Sequence, residues 1–130
     1  MAVRAFKFGS MATDTISDVK MMAANASSFN YMTFEHPVGT DYSVAAGKTL
    51  YITMLSFRED EDFTIGYGDN GVADGASAPT NFVELTGAFR SGEALAQSNI
   101  ATLIIVPAGK YPCVKAQGAG GWVTAYGIEV

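Results

Sequence analysis

The chain is poor in the residue types on which most site chemistry depends. Its 130 residues include one cysteine, Cys113, and one histidine, His36. A single thiol cannot form an intrachain disulfide, which suits assembly in a reducing compartment. A single imidazole supplies neither a zinc cluster nor a second base. Lysine and arginine total eight, scattered singly, against thirteen acids, so the net charge is −5 and the pI is near 4.6. Phosphate contacts require a basic face, so nucleic acid is not an expected partner. Long apolar runs are missing as well. The longest largely apolar run, residues 101–106, is stopped by Pro107 and is too short to cross a bilayer. The N-terminal MAVRAFKFGS has no apolar stretch of signal-peptide length. The expectation is a protein that neither enters a membrane nor follows the usual secretory signal.

What the chain does contain points to strands. Hydrophobic residues make up 48% and charged residues only 16%, with 14 glycines, eight Phe, six Tyr and one Trp. The length fits one domain with a core of its own. Low charge beside abundant aromatics suits a β-protein that covers part of its surface with partners. The most regular stretch is 43–57, SVAAGKTLYITMLSF. Gly47 gives a tight turn its backbone freedom and Lys48 keeps that turn wet. From Thr49 the side chains alternate, with Leu50, Ile52 and Met54 on the expected buried face against Thr49, Tyr51 and Thr53. The phrase returns about 62 positions later as Val106-Pro107-Ala108-Gly109-Lys110, as two Greek-key halves using the same turn would require.

Further strands are expected at residues 3–8, 29–35, 63–67, 80–85, 88–90, 99–106, 111–117 and 122–130. Residues 99–106 are apolar on both faces and read as a central strand. The last two strands read as a hairpin across Gly118-Ala119-Gly120-Gly121. In the final strand Trp122, Thr124, Tyr126, Ile128 and Val130 share one face. His36-Pro37-Val38-Gly39 reads as a turn, and residues 68–79 as a loop too poor in apolar residues to join the core. Residues 91–98 hold one possible helical turn. Residues 11–28 carry loose apolar spacing among small polar residues. An extended arm or long loop is preferred there over a short helix across 16–22 capped by Thr13 or Asp14. The organisation expected is an N-terminal arm over 1–28 and a jelly-roll-like antiparallel β-sandwich over 29–130.

No catalytic, cofactor-binding or metal-binding residues are assigned, and each chemical candidate has a plainer reading. Gly47-Lys48-Thr49 resembles the end of a phosphate-binding loop, but the required glycine five positions earlier is Tyr42, and a strand follows where a helix is needed. Asp69-Asn70-Gly71 with Asp74-Gly75 offers oxygen ligands for calcium, in residues that also build tight turns. The acidic run 59–62 reads as a solvated hairpin tip. His36 reads as a hydrogen-bonded turn residue, and Cys113 as a buried thiol with no base to activate it. Asp41, Glu84 and Glu93 are carboxylates that the sequence gives no means of pairing for hydrolysis. Asn25-Ala26-Ser27 matches a glycosylation acceptor by chance. Trp122, Tyr126, Tyr111 and Tyr67 would make a sugar platform only if they converged. Core or interface is the preferred role for such rings.

Residues 44–52 (VAAGKTLYI) and the closing strand 122–130 (WVTAYGIEV) resemble small β-sandwich structural proteins of tailed bacteriophages. The type they are most similar to is the jelly-roll decoration, or cement, protein on the outside of a capsid. The resemblance covers residues 29–130 in style and carries no ligand motif. It implies a non-enzymatic virion protein that binds the major capsid protein as a homodimer or homotrimer, on the capsid surface after assembly in the host cytoplasm. Residues 2–28 are expected to carry much of that contact. The competing expectation is a carbohydrate-binding sandwich of a phage tail or bacterial surface system. A metal-holding barrel enzyme stands third, because such barrels hold metal through several histidines.

Overall fold

The computed structural model describes residues 19–24, 30–37, 39–58, 62–89, 98–116 and 121–130. They form eight strands and, among the described residues, no helix. The strands are β1 (Val19–Ala24), β2 (Asn30–Thr33), β3 (Leu50–Arg58), β4 (Phe63–Gly68), β5 (Val83–Glu84), β6 (Ser98–Val106), β7 (Tyr111–Ala116) and β8 (Trp122–Glu129). A first sheet has the order β1-β8-β3-β6 and a second the order β2-β7-β4-β5. All pairs are antiparallel, and the two sheets pack on each other as the expected β-sandwich. The pairs β1 with β8, β2 with β7, β3 with β6 and β4 with β5 are those of one long hairpin, four strands out and four back. Pairing of β8 with β3 and of β7 with β4 closes that hairpin into two sheets.

Alternation explains the core. Leu50, Ile52, Leu55 and Phe57 of β3 meet Ile104 and Val106 of β6 and Val123 and Ala125 of β8, and all are buried. Phe63 and Ile65 of β4 and Val114 and Ala116 of β7 close the other side. Phe57 and Phe63 meet edge to face with centroids 4.9 Å apart, and Phe89 lies 5.4 Å from Phe63. Each such large side chain, once buried, stabilises the fold by roughly 1.5–3 kcal/mol.

The repeated turn is structural. Gly47 and Gly109 have φ of 75° and 78°, the left-handed region that a side chain disfavours. The amide of Lys48 donates to the Ala45 carbonyl at 3.1 Å, and that of Lys110 to the Pro107 carbonyl at 3.3 Å. The two turns also bond to each other. Val44 N–H donates to the Lys110 carbonyl at 3.0 Å, and Gly109 N–H to the Val44 carbonyl at 2.8 Å. One turn chemistry is used twice because both turns close the same end of the sandwich.

Several expectations are corrected. Met54 is 36% exposed while Leu55 is fully buried. Between Ile52 and Met54 the register slips: Thr53 is an extra residue against β8, and β6 carries one extra residue against β3. A bulge shifts the two-residue period by one, so Met54 turns outward. The Thr53 hydroxyl donates to the Tyr126 carbonyl at 3.3 Å and the Thr102 hydroxyl to the Ile52 carbonyl at 3.0 Å, serving carbonyls at the slip. β6 is an edge strand, not a central one, because only one of its apolar faces enters the core. The last two strands do not form a hairpin: β7 pairs in the second sheet and β8 in the first. Val19–Ala24, read as part of an arm, is a sheet strand whose six residues pair with β8. This replaces the helical alternative over those residues. The strand expected over 80–85 contracts to Val83–Glu84, next to Asn81 at a positive φ of 53°. The strand expected over 3–8, the arm residues 1–18 and 25–28, and the helical turn over 91–97 lie outside the described residues.

Candidate functional site

The outward sides of the two sheets differ, and that difference defines the site. Over the second sheet the chain lays its own cover, residues 69–82, and residues 85–89 continue β5 along β4. Thr33 N–H donates to the Val72 carbonyl at 3.0 Å, and Val72 N–H donates back to the Thr33 hydroxyl at 2.8 Å. Tyr31 bridges to Ala76, and its ring meets Phe82 edge to face at 5.2 Å. The amide of Leu85 donates to the Ile65 carbonyl at 2.9 Å, and Ile65 N–H donates to the Thr86 hydroxyl at 3.0 Å. Thr33, Cys113 and Gly66 stand in one row across β2, β7 and β4. All three are buried. The approach is so close that a Cβ on Gly66 would lie 2.1 Å from the Val83 carbonyl oxygen. Pro79 is buried in the same way against Gly68, so the loop joins the packing after all.

Among the described residues, no segment covers the first sheet in this way. On β8 the residues Val123, Ala125, Gly127 and Glu129 are buried, and Trp122, Thr124, Tyr126 and Ile128 face outward, half-buried. Cross-strand partners share a face, so register extends it. Ile128 pairs with Tyr51, which pairs with Ile105; Tyr126 pairs with Met54, which pairs with Ala101. Leu103 is 70% exposed and Ile105 48%. Among the described residues of this face there is no aspartate or glutamate. The outer positions of a one-sided antiparallel sheet are ordinarily polar. Arg58, opposite Trp122, puts one cation at the end of the face, and Ser56 lies opposite Thr124. Exposed apolar and aromatic residues with no carboxylate among them are the composition of an interface centre.

The other candidates resolve into structural roles. Lys48 of the loop-like Gly47-Lys48-Thr49 lies exposed on the turn that feeds β3. Asp69 spends both carboxylate oxygens, one on Lys110 and one on the Asn81 amide at 2.7 Å. The Lys110 ammonium holds the Asp69 carboxyl below its ordinary range, with Asn81 adding to the effect, and Asp69 in turn raises Lys110. Asn70 accepts the Thr80 N–H at 2.8 Å, so this segment braces the cover. Asp41 stands beside Glu35, and burial together with that neighbour raises its carboxyl. Glu84 accepts from the Thr64 hydroxyl at 3.1 Å and faces Lys115 at 3.7 Å. These groups, with Asp62, Phe63 and Ala88, line a shallow cleft of about 140 Å³. His36 is held in its turn by a bond from its amide to the Thr40 carbonyl at 2.9 Å, with its ring edge-on to Tyr42. Burial pushes the Cys113 thiol up to about 12, which keeps it protonated at neutral pH and a poor nucleophile. Glu59, Asp60, Glu61, Glu93 and the triplet Asn25-Ala26-Ser27 lie outside the described residues.

The four rings of the sugar-platform reading are divided between the sheets. Trp122 and Tyr126 lie on the outer face of the first sheet, whereas Tyr67 packs against the core from the second and Tyr111 lies on β7. Near the paired turns, Glu129 is buried and accepts the Ala45 N–H at 2.6 Å. Burial, reinforced by Glu129, raises the adjacent Tyr42 phenol above its ordinary value. Sequence reasoning assigned the shared face of β8 but missed its extension onto β3 and β6. The extension depends on the bulge and on the edge position of β6, neither of which leaves a local signal. No protein-family model, no curated protein and no solved structure matches the chain.

Proposed function

We propose that this chain is a non-enzymatic structural protein of a virus particle, a decoration or cement protein that binds the outer surface of a capsid shell and stabilises it. We read its sandwich as a jelly roll, since the out-and-back pairing of eight strands is the order that a rolled hairpin gives. The observation that carries the functional reading is the apolar outer face of the first sheet on an acidic, charge-poor protein. A face of that kind favours assembly over catalysis, because its described residues supply contact area and no carboxylate, imidazole or thiol. In a symmetric shell, many modest contacts of this sort add through avidity.

The test is co-sedimentation of the purified protein with shells assembled from the major capsid protein of its source, followed by heating of the complexes. The expected result is saturable binding and a raised shell-disruption temperature. Absence of binding overturns the reading. Deleting residues 2–18, which leaves β1 in place, tests whether the N-terminal segment carries the contact. Glycan-array binding abolished by Trp122→Ala in a folded protein would favour the carbohydrate-binding alternative.

A further inference from the structure

We infer that the outer face of the first sheet is covered by a second copy of this chain, in a two-fold, face-to-face dimer. The inference rests on the reading of that face as an assembly surface and names its occupant. Four strands at about 4.8 Å spacing and eight residues at about 3.3 Å rise give a face of roughly 500 Å² a side. Two copies thus bury about 1,000 Å² or more, the threshold of a specific interface.

Charge points the same way. The chain carries −5 overall, yet the described residues of this face include no acid. Two such faces therefore meet without bringing like carboxylates into contact, and the one described cation, Arg58, stands opposite Trp122 at the end of the face, away from its middle. Tyr51, Met54, Tyr126 and Ile128 form the middle of the face, with Leu103 and Ile105 toward one side. A two-fold axis through the middle lays each copy's β6 across the far side of its mate.

The contact is through the face and not the edge. β6 is nine residues long, lies at the sheet edge and carries no charge. Its extra residue against β3, however, breaks the straight row of amides and carbonyls that strand addition needs, and bulges are how edges are kept from pairing. Leu103, inside that irregularity, is the most exposed of the large apolar side chains among the described residues.

Sedimentation equilibrium of the purified chain, at micromolar loading and without shells, tests this. The wild type is expected to be a dimer. Leu103→Lys with Ile105→Lys should raise the dissociation constant by about 100-fold or more, since two buried lysines replace apolar anchors. Val83→Lys, on the exposed edge strand β5 of the second sheet, should remain dimeric, and a thermal melt checks that each variant is folded. A monomeric wild type, or an undiminished dimer in the folded double variant, overturns the inference. A monomer that still binds shells removes the dimer and keeps the decoration reading; a dimer that binds no shell does the reverse.

Discussion

The two sheets are built from the same alternating strands, yet they finish their outer surfaces in opposite ways. The second sheet is closed by residues 69–82, which bring Val72 against Thr33, Phe82 against Gly66 and Pro79 against Gly68, all small or polar positions. The first sheet keeps Tyr51, Met54, Leu103, Ile105, Tyr126 and Ile128 on its outside. A sheet that must accept a cover from its own chain needs small residues and hydrogen-bonding groups beneath it. A sheet whose cover comes from another chain needs exposed apolar groups and little charge. Substitutions on the second sheet should therefore damage the fold, whereas those on the first should damage association.

The largest effect is expected at Gly66→Ala. The new methyl would meet the Val83 carbonyl oxygen at 2.1 Å and the Phe82 ring at 2.7 Å, so the cover must lift. Such overpacking costs about 3 kcal/mol, readable as a lowered urea midpoint. Full retention of stability would show that the cover is loose. Next comes Thr33→Val, which keeps the shape but removes the acceptor for the Val72 amide. An unpaired, partly buried amide costs about 1 kcal/mol, with hydrogen exchange quickened at Val72.

A smaller effect concerns the brace that ties the cover to the turn before β7. Because Lys110 and Asn81 depress the Asp69 carboxyl, its contribution is present above the ordinary value of 3.8 and lost as pH falls through the lower folded value. A carboxyl titration by NMR should place Asp69 below 3.8, and Lys110→Met should return it toward that value. An Asp69 midpoint at or above 3.8 in the wild type would remove the brace from the account. The smallest effect on the fold is expected at Leu103→Lys, within about 0.5 kcal/mol for the monomer, because that side chain already stands in solvent.

What the sequence disclosed follows from how local each signal is. Gly47 and Gly109 announced their turns because a positive φ selects glycine, and the alternation in β8 announced its two faces. Met54 was misplaced because a bulge is set by the register of two neighbouring strands and not by the residues of one. The apolar run of β6 was read as central because its outer face carries Leu103 and Ile105, side chains of the kind a core also selects. The pairing of β7 and β8 in separate sheets was hidden because four small residues between strands serve a crossover as readily as a hairpin. The cover over the second sheet was missed because its apolar contributions, Val72, Pro79 and Phe82, are spread singly through a polar loop.

The most direct test of the central contrast is solvent paramagnetic relaxation of side-chain methyls in the intact protein, using a soluble gadolinium chelate. Taken alone, one copy leaves Leu103 70% and Ile105 48% exposed, against 42% for Val83 in β5 of the second sheet and 39% for Leu85 just after it. The account predicts inversion of that order, with Leu103 and Ile105 protected by a second copy and Val83 and Leu85 still relaxed. Relaxation of Leu103 at least as strong as that of Val83, in wild-type protein at dimer-forming concentration, would contradict it.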